Sequence, residues 1–92
     1  MRKIYETQRF KSSYKKFVKR HPQLEARIRE TLALLEKDIR HPLLHTHRLE
    51  GKLNELQACT CGYDCRIVFS IEKIPEGELI VLLTIGTHKQ VY

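Results

Sequence analysis

The chain has 92 residues, 41% apolar and 30% charged, with a formal net charge of +6. That length leaves room for one hydrophobic core and one domain, 1–92, and the composition is that of a folded protein, not of a disordered tail. No run approaches the roughly 18 apolar residues of a membrane helix, and the charged start Met1-Arg2-Lys3-Ile4-Tyr5-Glu6 lacks a signal peptide's apolar stretch, so a cytoplasmic protein with no membrane contact is expected.

In chain order, Lys3 to Glu6 reads as a short first strand and Thr7 as the N-cap of a helix. Phe10, Tyr14, Phe17 and Val18 then recur at helical spacing. Between them Lys11, Lys15 and Lys19 form a row at i, i+4, i+8, flanked by Arg9, Lys16 and Arg20. Residues 1–20 carry eight Lys/Arg against Glu6 alone, whereas 21–51 balance and 52–92 are slightly acidic. A basic surface gathered on one helix suits RNA or an acidic protein segment better than a neutral metabolite; a solvated helix face that aids solubility is the plainer reading.

His21-Pro22 interrupts the first helix, because proline disfavours helical geometry in the residue before it and suits the first turn of a new helix. Leu24, Ile28, Leu32, Leu35 and Ile39 mark a second amphipathic helix ending before Pro42, so the two helices should form a hairpin. From His41 to Asn54 a loop with one helical turn is expected. Leu56 to Cys61 reads as a strand, and Cys61-Gly62-Tyr63-Asp64 as a turn or bulge. In Tyr63 to Ile71 the residues Tyr63, Cys65, Ile67, Phe69 and Ile71 alternate with Asp64, Arg66, Val68 and Ser70, which predicts one core face and one face opening with an acid and an arginine. Lys73 to Glu78 is a hairpin loop. Leu79 to Ile85 is apolar on both parities except Thr84, which predicts a strand covered on both faces and central in the sheet. The order β-α-α-β-β-β gives an α+β fold, with a helical hairpin packed on a small, mostly antiparallel sheet.

Cys59, Cys61 and Cys65 are odd in number and tightly clustered, which argues against a disulfide framework in a chain without a signal peptide. Their spacing relative to His41, His45 and His47 matches zinc sites poorly, and core packing is the better account.

Two clusters carry chemistry if this order of elements holds. His47 and Lys52 lie in the loop before the middle strand, and Thr87-His88-Lys89-Gln90-Val91-Tyr92 follows the central one. Asp64 and Arg66 project between them. Metal-free cleavage of RNA needs residues of these kinds: a neutral imidazole to take the ribose 2′-OH proton, an imidazolium to protonate the leaving 5′-oxygen, an arginine for phosphorane charge and an aromatic ring such as Tyr92 for a base. Each also has a simpler role, His47 and His88 as surface histidines, Asp64 as a turn former, Arg66 as a solvated cross-strand partner and Tyr92 as a chain end packed on the sheet edge.

The segments His47-Arg48-Leu49-Glu50-Gly51-Lys52-Leu53, Gly62-Tyr63-Asp64-Cys65-Arg66-Ile67-Val68-Phe69 and Ile85-Gly86-Thr87-His88-Lys89-Gln90-Val91-Tyr92 resemble the RelE/ParE toxin superfamily, nearest its RelE/StbE and YafQ-like branch. The resemblance covers nearly the whole chain, and the closing Gly-Thr-His-x-x-Val-Tyr is its most specific part. It implies a microbial ribonuclease-like fold and the toxin of a type II toxin–antitoxin pair, which cuts mRNA in the ribosomal A site by 2′-OH attack without a metal or other cofactor. By position, the resemblance implies that His88, Tyr92, His47 and Arg66 match catalytic residues of that family, and Asp64 falls near its strand carboxylate. Lys11, Lys15, Lys19 and Arg20, with Lys52, would meet RNA, ribosomal RNA among it. A cognate antitoxin would cover the active surface, and operator DNA would be met only through that complex. Ala58, Cys59, Thr60 and Cys61 stand where many relatives carry basic residues or a further histidine. A catalytically weak antitoxin-binding module and a ParE-like inhibitor of DNA gyrase are the alternatives.

Overall fold

A computed structural model describes residues 2–49 and 55–91, so Lys52, Tyr92 and the end of the 41–54 loop lie outside the described residues. Strand β1 (Lys3–Glu6) leads into helix α1 (Gln8–Arg20), and Thr7 makes the junction. Its hydroxyl accepts the Phe10 N–H at 3.1 Å, satisfying an orphan donor of the first turn, and donates to the Leu82 carbonyl at 2.7 Å, which pins the helix start to the sheet. His21 ends α1, and a 3₁₀ turn (Pro22–Leu24) joins it to helix α2 (Glu25–Lys37). This second helix stops earlier than its apolar spacing predicts. The Asp38 carboxylate accepts the Arg40 N–H at 3.1 Å, a local bond that offers the backbone an alternative to a further turn, and Ile39 enters the core from beyond the helix.

The 41–54 loop contains the expected turn, a 3₁₀ segment (Pro42–Leu44), and then a two-residue strand, β2 (His47–Arg48), which the sequence does not suggest. Strands β3 (Gln57–Thr60), β4 (Arg66–Ile74) and β5 (Gly77–Gly86) form a meander, followed by a short helix α3 (His88–Val91). The strand order is β1-β5-β4-β3-β2; β1 pairs with β5 in parallel, and the other pairings are antiparallel. The sheet is therefore mixed and mostly antiparallel, as expected.

The helices cover one face of this sheet. Phe10, Phe17, Ile28 and Leu35 meet Cys59, Ile67, Phe69, Ile80, Leu82 and Ile85, all buried, and each large side chain so removed from water contributes about 1.5–3 kcal/mol. Two expectations need correction. Tyr63 is not in the core but 96% exposed, because the backbone turns through left-handed conformations at Gly62 and Asp64 and breaks the alternation before β4 begins. Strand β5 is interior to the sheet, yet of its apolar side chains from Leu79 to Ile85 only Ile80, Leu82 and Ile85 are buried, while Val81 and Leu83 are half-buried. Its second face has only a small cover, the cluster of Leu49, Ala58 and Val68 with Leu56, Leu83 and Val91. Among the described residues no helix is long and apolar enough to cross a membrane.

Candidate active site

The open end of that second face is shaped by the turn between β3 and β4. Gly62 has φ +126°, a region closed to other residues on steric grounds, and Asp64 has φ 52°, which its short polar side chain tolerates. The turn is closed by Cys61 N–H to the Cys65 carbonyl at 2.9 Å and by a Cys61–Cys65 disulfide across a Cα separation of 5.1 Å. The count and clustering of the cysteines point away from disulfides; the turn overrides that expectation by bringing two cysteines four residues apart to bonding distance. Cys59 remains a thiol. Burial pushes its pKa up to about 12, opposed more weakly by the Arg66 charge, so it stays neutral and packs as a small hydrophobe.

Asp64 both shapes the turn and reaches out of it. Its Oδ1 accepts the His88 N–H at 3.0 Å, joining residues 24 apart in sequence. Helix α3 can fold back there because position 86 has no side chain: a Cβ on Gly86 would stand 2.7 Å from Gln90 Oε1. The Gln90 side chain in turn accepts the Thr87 N–H at 2.8 Å. Arg66 opens β4, in register with Thr60 on β3 and Gly86 on β5. Its Nη1 donates to Thr60 Oγ1 and to the Cys65 carbonyl, both at 3.2 Å. Arg66, Asp64, His88, Thr60, Tyr63 and Lys89 thus line one open cleft of about 560 Å³.

His47 lies elsewhere on the same sheet. It pairs with Ala58 on the edge strand β2, two strands from Arg66. Strand spacings put the two Cα atoms about 12 Å apart. Its Nδ1 is 3.0 Å from the His45 carbonyl, which can only accept, so the neutral ring carries its proton on Nδ1 and has Nε2 as the basic nitrogen. Among the described residues no three His, Cys, Asp or Glu side chains group closely enough to hold a metal ion.

The basic row of α1 divides. Four residues turn a helix by about 400°, so an i, i+4 row drifts about 40° per step. Lys11 and Lys15 accordingly line a shallow cleft with Glu6 and Gln8, whereas Lys19 and Arg20 join Lys16 and His21 on a groove facing β5, Thr87 and Gln90. Sequence reasoning misses Thr60 and Tyr63. The turn composition around Gly62 is the available signal for Tyr63; for Thr60 the resemblance marks the position, and its pairing with Arg66 is visible only once β3 and β4 are in register.

Comparison with known proteins gives a consistent result. A family model described as a bacterial toxin of type II toxin–antitoxin system, YafQ, matches residues 2–92. Among solved structures, YafQ from E. coli strain BL21(DE3) superposes with a TM-score of 0.81 at 17% identity, covering 100% of this chain and 99% of that one. A copper-bound mutant toxin from Helicobacter pylori gives 0.79 at 20% identity with both chains fully covered. The E. coli DinJ–YafQ toxin–antitoxin complex gives 0.79 at 17%, covering 99% and 97%. At these identities the likeness shows the fold. No curated protein sequence matches the chain.

Proposed function

Because the chain belongs to the YafQ family of type II toxin–antitoxin toxins, we propose that it is one cytoplasmic toxin domain that cleaves mRNA on the ribosome by metal-free 2′-OH attack. The observation that carries this reading is the meeting of Arg66, Asp64 and His88 in one cleft. In the reaction the 2′-oxygen attacks the adjacent phosphorus as its proton passes to a base, the bond to the 5′-oxygen breaks, and that oxygen takes a proton from an acid. The products are a 2′,3′-cyclic phosphate and a 5′-hydroxyl end.

His88, as imidazolium, is the acid, and its placement by Asp64 through the backbone N–H sets where that proton is delivered. Arg66 has one nitrogen tied to Thr60 and Cys65, which fixes the guanidinium plane while its other N–H groups serve the developing phosphorane charge. His47 Nε2 is the base, with the nucleotide spanning from β2 to β4. Tyr63 at the lip, and Tyr92 at the chain end, are the aromatic rings against which a base stacks. Lys11, Lys15 and Lys52 face ribosomal RNA. By analogy with the DinJ–YafQ complex, a cognate antitoxin neutralises the toxin by covering this surface, and operator DNA is bound only through that complex.

The test is to induce the toxin without antitoxin in parental, His88→Ala and Arg66→Ala forms and map mRNA 5′ ends. Cuts within translated codons that vanish in both variants are expected; intact mRNA in arrested cells with inhibited supercoiling would replace the nuclease reading with gyrase inhibition. One observation favours a second reading, a weak nuclease that acts mainly as an antitoxin-binding module. Thr60 occupies the strand position beside Arg66 with a hydroxyl that is no acid or base at neutral pH. Growth unaffected by free protein that still binds its antitoxin tightly would decide for it.

A further inference from the structure

We propose that the groove between the C-terminal half of α1 and the β5–α3 junction is a binding track for single-stranded RNA that runs into the candidate active-site cleft; this rests on RNA being the substrate. The groove measures about 880 Å³, larger than the cleft itself. Thr87 lines both, so the two adjoin at the start of α3. Lys16, Lys19 and Arg20 stand on its rim, and no carboxylate lines it among the described residues. That composition is not general to this surface: the cleft of Lys11 and Lys15 includes Glu6, and Arg40 and Arg48 share theirs with Glu55, Glu72 and Glu78. A cavity rimmed by three cations without a counter-charge attracts a polyanion, and the neighbouring charge pairs do not.

The floor separates a single strand from a duplex. Besides the cations the groove is lined by Thr84, Thr87 and Gln90, whose hydroxyls and amide NH2 can meet base edges or a 2′-OH. The half-buried His21 ring, 4.6 Å from the Phe17 ring and tilted 37° to it, lines the same groove and offers a ring surface to a base. A duplex presents mainly phosphates and would leave these groups unused, whereas a single strand turns its bases onto them. The geometry also removes Lys11 and Lys15 from the track and adds Lys16, which a row counted along the sequence does not do.

The experiment measures binding of a fluorescent 2′-O-methyl oligoribonucleotide, which lacks the attacking hydroxyl and so reads binding without cleavage, to full-length protein over a salt series. Lys16→Ala/Lys19→Ala/Arg20→Ala should weaken binding about ten-fold or more at low salt and make the log–log salt slope shallower by about 2, as expected for three lost phosphate contacts on a single strand. Arg40→Ala/Arg48→Ala, whose cleft carries Glu55, Glu72 and Glu78, should leave both nearly unchanged, and a duplex of the same sequence should compete poorly. Equal losses from both variants would overturn the track in favour of diffuse charge. So would undiminished RNA binding by the triple variant together with loss of antitoxin binding, which would assign the groove to the protein partner. Parental protein that cleaves mRNA in cells yet fails to bind the oligonucleotide would overturn the track and leave the nuclease reading standing; protein that binds through these three residues but cleaves nothing would do the reverse.

Discussion

The two faces of the sheet are built to different standards. On the helix-covered face, Phe10, Ile28, Leu35, Cys59, Ile67, Phe69, Ile80 and Leu82 are all but sealed from water. The opposite face has only the small Leu49, Ala58 and Val68 cluster, and beyond it the sheet surface ends in Thr60, Arg66 and the cleft. One face supplies the stability that allows the other to keep polar groups at the surface. Changes on the first should therefore act on folding and changes on the second on chemistry, with little crossing over.

The largest effect expected is at His88. His88→Ala should lower the rate of mRNA cleavage about 10²–10⁴-fold, the span of a lost acid–base group, while leaving the thermal midpoint unchanged because the side chain is exposed. A parallel fall in Tm would mean that the two faces are coupled. Phe69→Ala tests the reverse. Removing a ring with no solvent exposure should cost about 3–5 kcal/mol by urea denaturation, and whatever fraction stays folded should cleave at the parental specific rate.

A smaller effect is expected at the link between the faces, the Cys61–Cys65 disulfide. Loop-closure entropy for so short a ring gives about 2 kcal/mol. Non-reducing urea curves of Cys61→Ser/Cys65→Ser against the parent should show it, and a dithiol reductant should erase the difference; identical curves in the absence of reductant would show that the turn is held by Gly62, Asp64 and their backbone bonds alone. The smallest belongs to Thr7. Thr7→Ala should cost about 1 kcal/mol through the lost cap and its bond to Leu82, a loss that Thr7→Ser should largely restore.

How much of the fold is legible in the sequence follows from the range of each interaction. The α1 boundaries, the Thr7 cap, the break at His21-Pro22 and the core residues of β4 are legible because caps, proline and periodicity act between residues a few positions apart. The early stop of α2 is not, because one side-chain bond from Asp38 outweighs a favourable apolar spacing. Apolar residues on both parities of β5 imply full coverage; on its second face they meet only a small cluster and α3, whose approach depends on Gly86 lacking a side chain.

For the candidate site the division is sharper. The sequence by itself determined the family, the α+β order and the presence of a histidine, an arginine and an acid in segments fit for the work, since motif and composition are properties of the chain. Only the tertiary structure decided that Asp64 holds the His88 backbone, that Arg66 is tied to Thr60, that His47 stands two strands away, that Tyr63 points outward, and that the lysine row of α1 divides between two clefts. Those facts depend on strand register, on two left-handed residues in one turn and on the helix's drift around its own axis. Such geometry exists only after segments far apart in sequence have paired, so no local pattern records it.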